Sequence, residues 1–299
     1  MNGRVAWNVR GGRVIGPAPF LVAGVVNVTP DSFYDGGRYL EARTATAHAR
    51  ELLHQGADIL DVGGESSRPF AEPVSPQEEL DRVLPVIRAA SKLSQNTEPV
   101  AVSVDTYKAK VAQAALDAGA VIVNDISACR FDPGLMDVLS HYKPGYVLMH
   151  SLSKPKDMQR SPKYTDVISE ISAFFEERLG TLTKSGVPEQ NIVLDPGFGF
   201  GKTLKHNLSI FQNIEKFTAF GRPLFIGLSN KSIWGALLEL EAHERQNATQ
   251  AATAIMAARG VKIHRVHEVG PTVQTLRVVQ GLMPPQARAP EQGTEQAYV

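Results

Sequence analysis

Short apolar runs rich in Val, Ile and Leu recur along the chain at residues 21–26, 59–62, 100–104, 121–123, 146–149, 192–194, 224–226 and 263–266. Each is nearly continuous rather than alternating, the pattern of parallel strands covered on both faces. Helical stretches separate them. Residues 44–55 place Ala45, Ala49, Leu52 and Leu53 on one side. Residues 75–93 open on Ser75-Pro76 with Glu78 in the third helical position, a strong start signal. Stretches 108–118, 166–184 and 247–258 run to Gly119, Gly186 and Gly260, which suit the left-handed residue that ends a helix. Eight strands alternating with helices over about 250 residues predict an α/β fold, a (β/α)8 TIM barrel. An open doubly wound sheet is the alternative, but it usually has fewer strands. It would also leave residues 4–15 unexplained. Those alternate Val5, Trp7 and Val9, turn at Gly11-Gly12, and resume at Val14 and Ile15. The pattern predicts an N-terminal β-hairpin, suited to plugging the bottom of a barrel. The expected organisation is a hairpin over 1–19, a barrel over 20–283 and a mobile Pro/Gln/Ala-rich tail over 284–299.

Composition narrows the class. The chain has 299 residues, 31 basic against 31 acidic, and 43% hydrophobic positions. Zero net charge argues against nucleic acid or an anionic membrane surface as partner. The single cysteine, Cys129, excludes an internal disulfide and a Cys-rich zinc site. No apolar run approaches the roughly 18 residues of a membrane span, and Met1 to Trp7 has no apolar signal region. A soluble, cytoplasmic globular protein is expected.

Polar residues cluster where the strands end, the face on which barrels build active sites. Singly, each Asp or Asn there is equally well a helix cap or a turn residue. Two groups are more specific. Arg265 and His267 lie two apart on the last strand and share a face. With Lys231 nearby they make an anion site where barrels often bind phosphate. The second is Asp195-Pro-Gly197-Phe-Gly199-Phe-Gly201-Lys202. It is not a P-loop, because three residues rather than four separate Gly197 from Gly201-Lys202. Alternating glycines instead suggest backbone and the rings of Phe198 and Phe200 brought against a flat ligand. Asp105, Asn124 and Asp195 offer acceptors to paired N–H donors of a heterocycle, and Lys231 suits a ring carbonyl. Arg265, His267 and a Mg2+ on Asn27 would hold a diphosphate, since Mg2+ takes few protein ligands and shares phosphate oxygens. Other polar residues read as structural. They are Cys129 as a small buried hydrophobe, Asp61 as a rim support, and His141, His206 and His243 as surface or cap residues. His150 suits either the border of the ligand site or a structural role. His264 points away from the Arg265 face. His48 and His54 are six apart, so they form no helical metal pair.

In these motifs the chain resembles the dihydropteroate synthase family. The carriers are Asn27-Val-Thr-Pro-Asp-Ser-Phe33, Asp61-Val-Gly-Gly-Glu-Ser-Ser-Arg-Pro69, Ser103-Val-Asp105, Asn124-Asp-Ile126, Leu148-Met-His150, the glycine-rich loop, Ser229-Asn-Lys-Ser232 and Arg265-Val-His267. The resemblance implies condensation of 6-hydroxymethyl-7,8-dihydropterin diphosphate with 4-aminobenzoate, giving 7,8-dihydropteroate and pyrophosphate. It implies catalytic roles for Asp105, Asp195, Lys231, Arg265 and His267. Pterin binding falls to Asp105, Asn124, Asp195 and Lys231. Diphosphate binding falls to Asn27, Arg68, Arg265 and His267, with Mg2+ on Asn27. Aminobenzoate, and sulfonamides competing with it, would meet Phe33, Ser67, Arg68, Pro69, Phe200, Lys231 and Ser232. The family mechanism implies diphosphate departure first, then attack by the arylamine, under two closing loops. A homodimer through the outer helices is also implied. Two departures stand out. Asn230 replaces the usual arginine of Ser-Arg-Lys-Ser. Ser67 replaces a threonine, with Phe70 where a small residue is common. Two other readings compete: a non-synthase pterin-binding domain of the methyltransferase type, and a paralogue that folds without turnover.

Overall fold

The computed structural model describes residues 3–28, 38–67, 70–95, 98–159 and 162–283, with backbone alone for 38–41. Strands β1 (Val5–Asn8) and β2 (Val14–Ala18) pair antiparallel, with Trp7 opposite Ile15. Gly11 and Gly12 take the turn with φ of 76° and 74°, a region open to glycine at little cost. Val5, Trp7, Val9 and Ile15 pack on Leu21, Ile59, Ile122, Phe225 and Ile263, at or near the starts of five barrel strands. The hairpin therefore plugs the barrel bottom, and Trp7 donates its indole N–H to the Asn191 carbonyl at 2.7 Å. Gly145 makes this possible, since a Cβ there would lie 2.7 Å from Val9 and 3.2 Å from Trp7.

The chain then runs β3 (Leu21–Asn27), α1 (Arg38–His54), β4 (Ile59–Gly63) and α2 (Pro76–Ala90). A small antiparallel pair follows, β5 (Ser94–Gln95) with β6 (Glu98–Pro99). Next come β7 (Ala101–Asp105), α3 (Ala109–Asp117), β8 (Ile122–Asp125), α4 (Leu135–Tyr142), β9 (Gly145–Met149) and α5 (Val167–Lys184). The last units are β10 (Ile192–Asp195), α6 (Leu204–Gln212), β11 (Phe225–Gly227), α7 (Ser232–Leu238), α8 (Gln246–Ala258), β12 (Ile263–Val266) and α9 (Val269–Leu282). The eight parallel strands lie in the order β10-β9-β8-β7-β4-β3-β12-β11. A parallel bridge from Leu194 to Leu224 joins the two ends and closes the barrel.

Side chains on the outer face of the strands, such as Val22, Leu60, Val102 and Val123, are fully buried beneath the helices. This two-sided burial is what the continuous apolar runs encode. Ser75 caps α2 by accepting the Glu78 N–H at 3.2 Å. Four helices carry no clear sequence signal. Three of them, α4, α6 and α7, have only 8, 9 and 7 residues. The fourth, α9, opens on Val269-Gly-Pro271, which reads as a turn. Pro271 sits in the first turn, where a missing N–H leaves no bond unmade. Helix α1 starts at Arg38, earlier than residue 44, and α2 ends at Ala90 rather than 93. The 284–299 tail lies outside the described residues.

Candidate active site

Arg265 organises the mouth of the barrel. Its Nε donates to Asp61 Oδ2 and its Nη2 to Asp105 Oδ2, both at 2.6 Å. One guanidinium thus ties β12 to β4 and β7. Asp61 is fully buried and also accepts from Asn124 Nδ2 at 3.0 Å. Burial alone would weaken the guanidinium, but Asp61 and Asp105 outweigh it and hold Arg265 firmly protonated. Burial also raises the Asp105 carboxyl, against the pull of Arg265. Two of the five N–H donors of Arg265 are used in these bonds. Among the described residues the others have no partner, and the side chain lines the cavity, where they can meet an anion.

Across the mouth, Asp195 ends β10 and accepts the Gly197 N–H at 2.7 Å. Burial pushes its carboxyl up to about 6. Lys231 precedes α7, donates from Nζ to the Phe198 carbonyl at 2.8 Å, and lies 4.3 Å over the Phe200 ring. Burial pushes its ammonium down to about 8, with Asp195 opposing. His267 places Nδ1 2.9 Å from the Ser229 hydroxyl.

The glycine-rich loop earns its spacing from geometry. Gly197, Gly199 and Gly201 all have positive φ, and a Cβ at 197 would fall 2.0 Å from the His150 carbonyl. Lys202 staples the loop from below, with Nζ on the carbonyls of Gly197 (2.9 Å) and Phe200 (3.0 Å) and on His150 Nδ1 (3.0 Å). Burial, then Lys202, pushes the His150 imidazole down to about 2, so it stays neutral. His150 is therefore part of the loop's support. The expectation that both phenylalanines face the ligand needs correcting. Phe200 lines the cavity, whereas Phe198 is buried among helix-side residues and packs at a tilt against Phe211.

A cavity of about 770 Å3 opens here, lined by Asn27, Ser67, Asp105, Phe200, Lys231, Ser232, Arg265 and His267 among others. Asn124 and Asp195 are buried beside it and are not on its wall in this conformation. Phe33, Arg68 and Pro69 lie outside the described residues. Sequence reasoning missed Glu65, Met158 and Arg245, which also line the cavity; His243 is exposed, as expected, and borders the same space. His243 and Arg245 come from a stretch between α7 and α8 with no periodicity to mark it. Asn230 sits at φ 55°, a conformation asparagine tolerates well. Its N–H donates to Thr249 Oγ1 at 3.1 Å and its carbonyl accepts from Arg245 at 3.4 Å. The loop is thus anchored without the family's usual arginine. Cys129 is buried beside Tyr146 and its thiol is pushed up to about 12, so it is inert. His206 closes a capping box with Thr203.

Residues 23–267 match the family model described as pterin binding enzyme. The dihydropteroate synthase of Escherichia coli (strain K12) is 42% identical over 262 residues, covering 88% of this chain and 91% of that one. The chain belongs to the dihydropteroate synthase family. The synthase of Bacillus subtilis (strain 168) is 39% identical over 263 residues, covering 88% of each chain. A solved Yersinia pestis synthase in a sulfonamide complex superposes with a TM-score of 0.85 at 38% identity, over 93% of this chain and 98% of that one. A Xanthomonas albilineans synthase with 4-aminobenzoic acid gives 0.84 at 37%, over 93% and 100%. The activity is accordingly that of a dihydropteroate synthase, a transferase of folate biosynthesis. The readings as a methyltransferase-type pterin domain or an idle paralogue give way to it. No helix among the described residues is long and apolar enough to cross a membrane.

Proposed function

We propose that the pterin diphosphate enters the cavity against Asp105 and Lys231 and seats its ring deep enough to reach Asn124 and Asp195, buried behind the wall in this conformation, with the diphosphate toward Asn27, Arg265 and His267. The observation that carries this is the Arg265 bridge, which fixes one cation at the mouth while leaving donors for an anion. Asn27, on the cavity wall, offers a single neutral oxygen, and no cluster of three ligating groups exists among the described residues. That donor set fits Mg2+ carried mainly by phosphate oxygens, with Asn27 as its protein ligand. When bound, Mg2+ neutralises charge on the diphosphate; loss of turnover on chelation and recovery with Mg2+ is the check. Arg265 and His267 stabilise the leaving diphosphate electrostatically. The carboxylates of Asp105 and Asp195 face the positive charge left on the pterin after C–O cleavage. The arylamine is neutral near pH 7 and attacks without a strong general base.

The second substrate lies against Ser67, Phe200, Lys231 and Ser232 on the described wall. Phe33, Arg68 and Pro69 complete that pocket in this reading. Sulfonamides occupy the same place and compete with 4-aminobenzoate. Phe70 holds φ 65° and is exposed, a conformation that costs a non-glycine residue about 1 kcal/mol. Phe70→Gly relieves that cost, and together with Ser67→Thr it is expected to shift the sulfonamide inhibition constant by about threefold, under 1 kcal/mol. Equal constants for the native enzyme and both variants would remove these residues from the pocket.

Pterin capture requires Asp195 ionised and Lys231 protonated. As pH rises through about 6 the carboxylate forms, and as it rises through about 8 the ammonium is lost. We expect kcat/KM for the pterin substrate to rise and then fall across these two points. Lys231→Arg keeps its charge and is expected to flatten the alkaline limb; an unchanged limb would assign it to another group.

We also propose a homodimer through the outer helices. Leu238 of α7, Ile255 of α8 and Val278 and Leu282 of α9 are exposed, and α8 packs on α9, which gathers apolar surface on one side. A monomer mass in solution at micromolar concentration would refute it. One buried thiol suits a reducing compartment, and we place the enzyme in the cytoplasm, with small-molecule substrates and no nucleic-acid or membrane partner.

A further inference from the structure

Outside the reacting groups, a dense set of buried charges lies at the start of the segment after β4. Lys108 Nζ contacts Glu65 Oε2 and Glu79 Oε2, each at 2.5 Å, and the Val74 carbonyl at 2.8 Å. Glu65 also accepts the Tyr107 hydroxyl at 2.7 Å and the Val74 N–H at 3.0 Å. Arg82 holds the preceding Gly64 carbonyl at 2.7 Å. Glu65 and Val74 are thus cross-linked to each other and to one ammonium. Lys108 stands three residues after Asp105, and Ser66 and Ser67 follow Glu65 directly onto the cavity wall.

We propose that Glu65, Lys108 and Glu79 form a clamp whose task is to position Ser66 and Ser67 for the second substrate. They are positioning residues that do not touch the reacting atoms. This rests on the reading of Ser67 as part of the aminobenzoate wall. One ammonium is held between two carboxylates because a buried charge needs its partners to remain in place. The clamp couples the end of β7, which carries a pterin carboxylate, to the wall of the neighbouring subsite. A rigid support of this kind holds a site to within a fraction of an ångström.

The test is steady-state kinetics of the full chain with both substrates, alongside thermal stability. Glu65→Gln keeps the side-chain shape and, with its oxygen toward Val74, that N–H bond; its NH2 then faces the Tyr107 hydroxyl as a donor, and the charge is lost. It is expected to raise KM for 4-aminobenzoate about tenfold, with KM for the pterin diphosphate within about twofold. Lys108→Met should raise it further and Lys108→Arg should recover most of the loss. If Lys108→Met does not fold, Glu65→Gln still decides. Both KM values rising together, or neither changing, overturns the clamp. Ser67→Leu, run in parallel, tests the underlying reading. It should raise KM for 4-aminobenzoate, and no change would remove Ser67 from that subsite and the inference with it.

Discussion

Replacing Arg265 with methionine is expected to lower kcat/KM at least a thousandfold and to cost about 3–5 kcal/mol of stability, the usual penalty for breaking a buried ion pair. The two losses have one cause. The guanidinium is 2.6 Å from both Asp61 and Asp105, and the Asp61 side chain is fully buried. Without the cation, two carboxylates face each other inside the barrel mouth. The diphosphate also loses a donor able to bind it in two places. Arg265→Lys restores charge but cannot span two carboxylates, so it should recover stability more than activity. Arg265→Met combined with Asp61→Asn should recover part of the stability and none of the turnover. Denaturant midpoints beside steady-state rates separate these outcomes. Near-native turnover in the methionine variant would show that the bridge only supports the barrel.

Asp195→Asn is expected to weaken pterin binding by about a hundredfold or more. Two hydrogen bonds from ring N–H donors to a carboxylate, at about 1.5–3 kcal/mol each, correspond to that factor. An amide presents an oxygen and an NH2 group, so one of the two donors meets a donor. A second effect accompanies the first. Asp195 opposes the fall in the Lys231 pKa, so its removal lets the ammonium lose its proton at a lower pH. The alkaline limb of the pH profile should therefore move down from about 8 in this variant. Calorimetric titration of a pterin across pH checks both. Unchanged affinity would place the pterin elsewhere in the cavity.

The barrel was legible because two-sided burial writes each strand as an unbroken apolar run. All eight runs fall within a residue or two of observed strands. The polar strand ends were legible for the same reason: Asn27, Asp105, Asp195, Arg265 and His267 interrupt apolar runs where the chain leaves the barrel. Partners were not legible. Arg265 meets Asp61 and Asp105 across 204 and 160 positions, and no local pattern encodes such pairing. Nor does alternation along a glycine-rich loop say which ring faces the ligand. With Gly197, Gly199 and Gly201 all at positive φ, the loop does not follow strand alternation, and Phe198 turns to the helices. Arg245 illustrates a further limit. Its guanidinium packs where Gly235 lacks a side chain, so closely that a Cβ would come within 2.5 Å. Only the folded chain brings those two together.

In the proposed function this site couples a pterin diphosphate to an arylamine. The most direct measurement mixes the enzyme with 6-hydroxymethyl-7,8-dihydropterin diphosphate, 4-aminobenzoate and Mg2+, and follows pyrophosphate and dihydropteroate together. One equivalent of each per turnover, suppressed by a sulfonamide and restored by excess 4-aminobenzoate, is the predicted result. Tight pterin binding without release of pyrophosphate would contradict it.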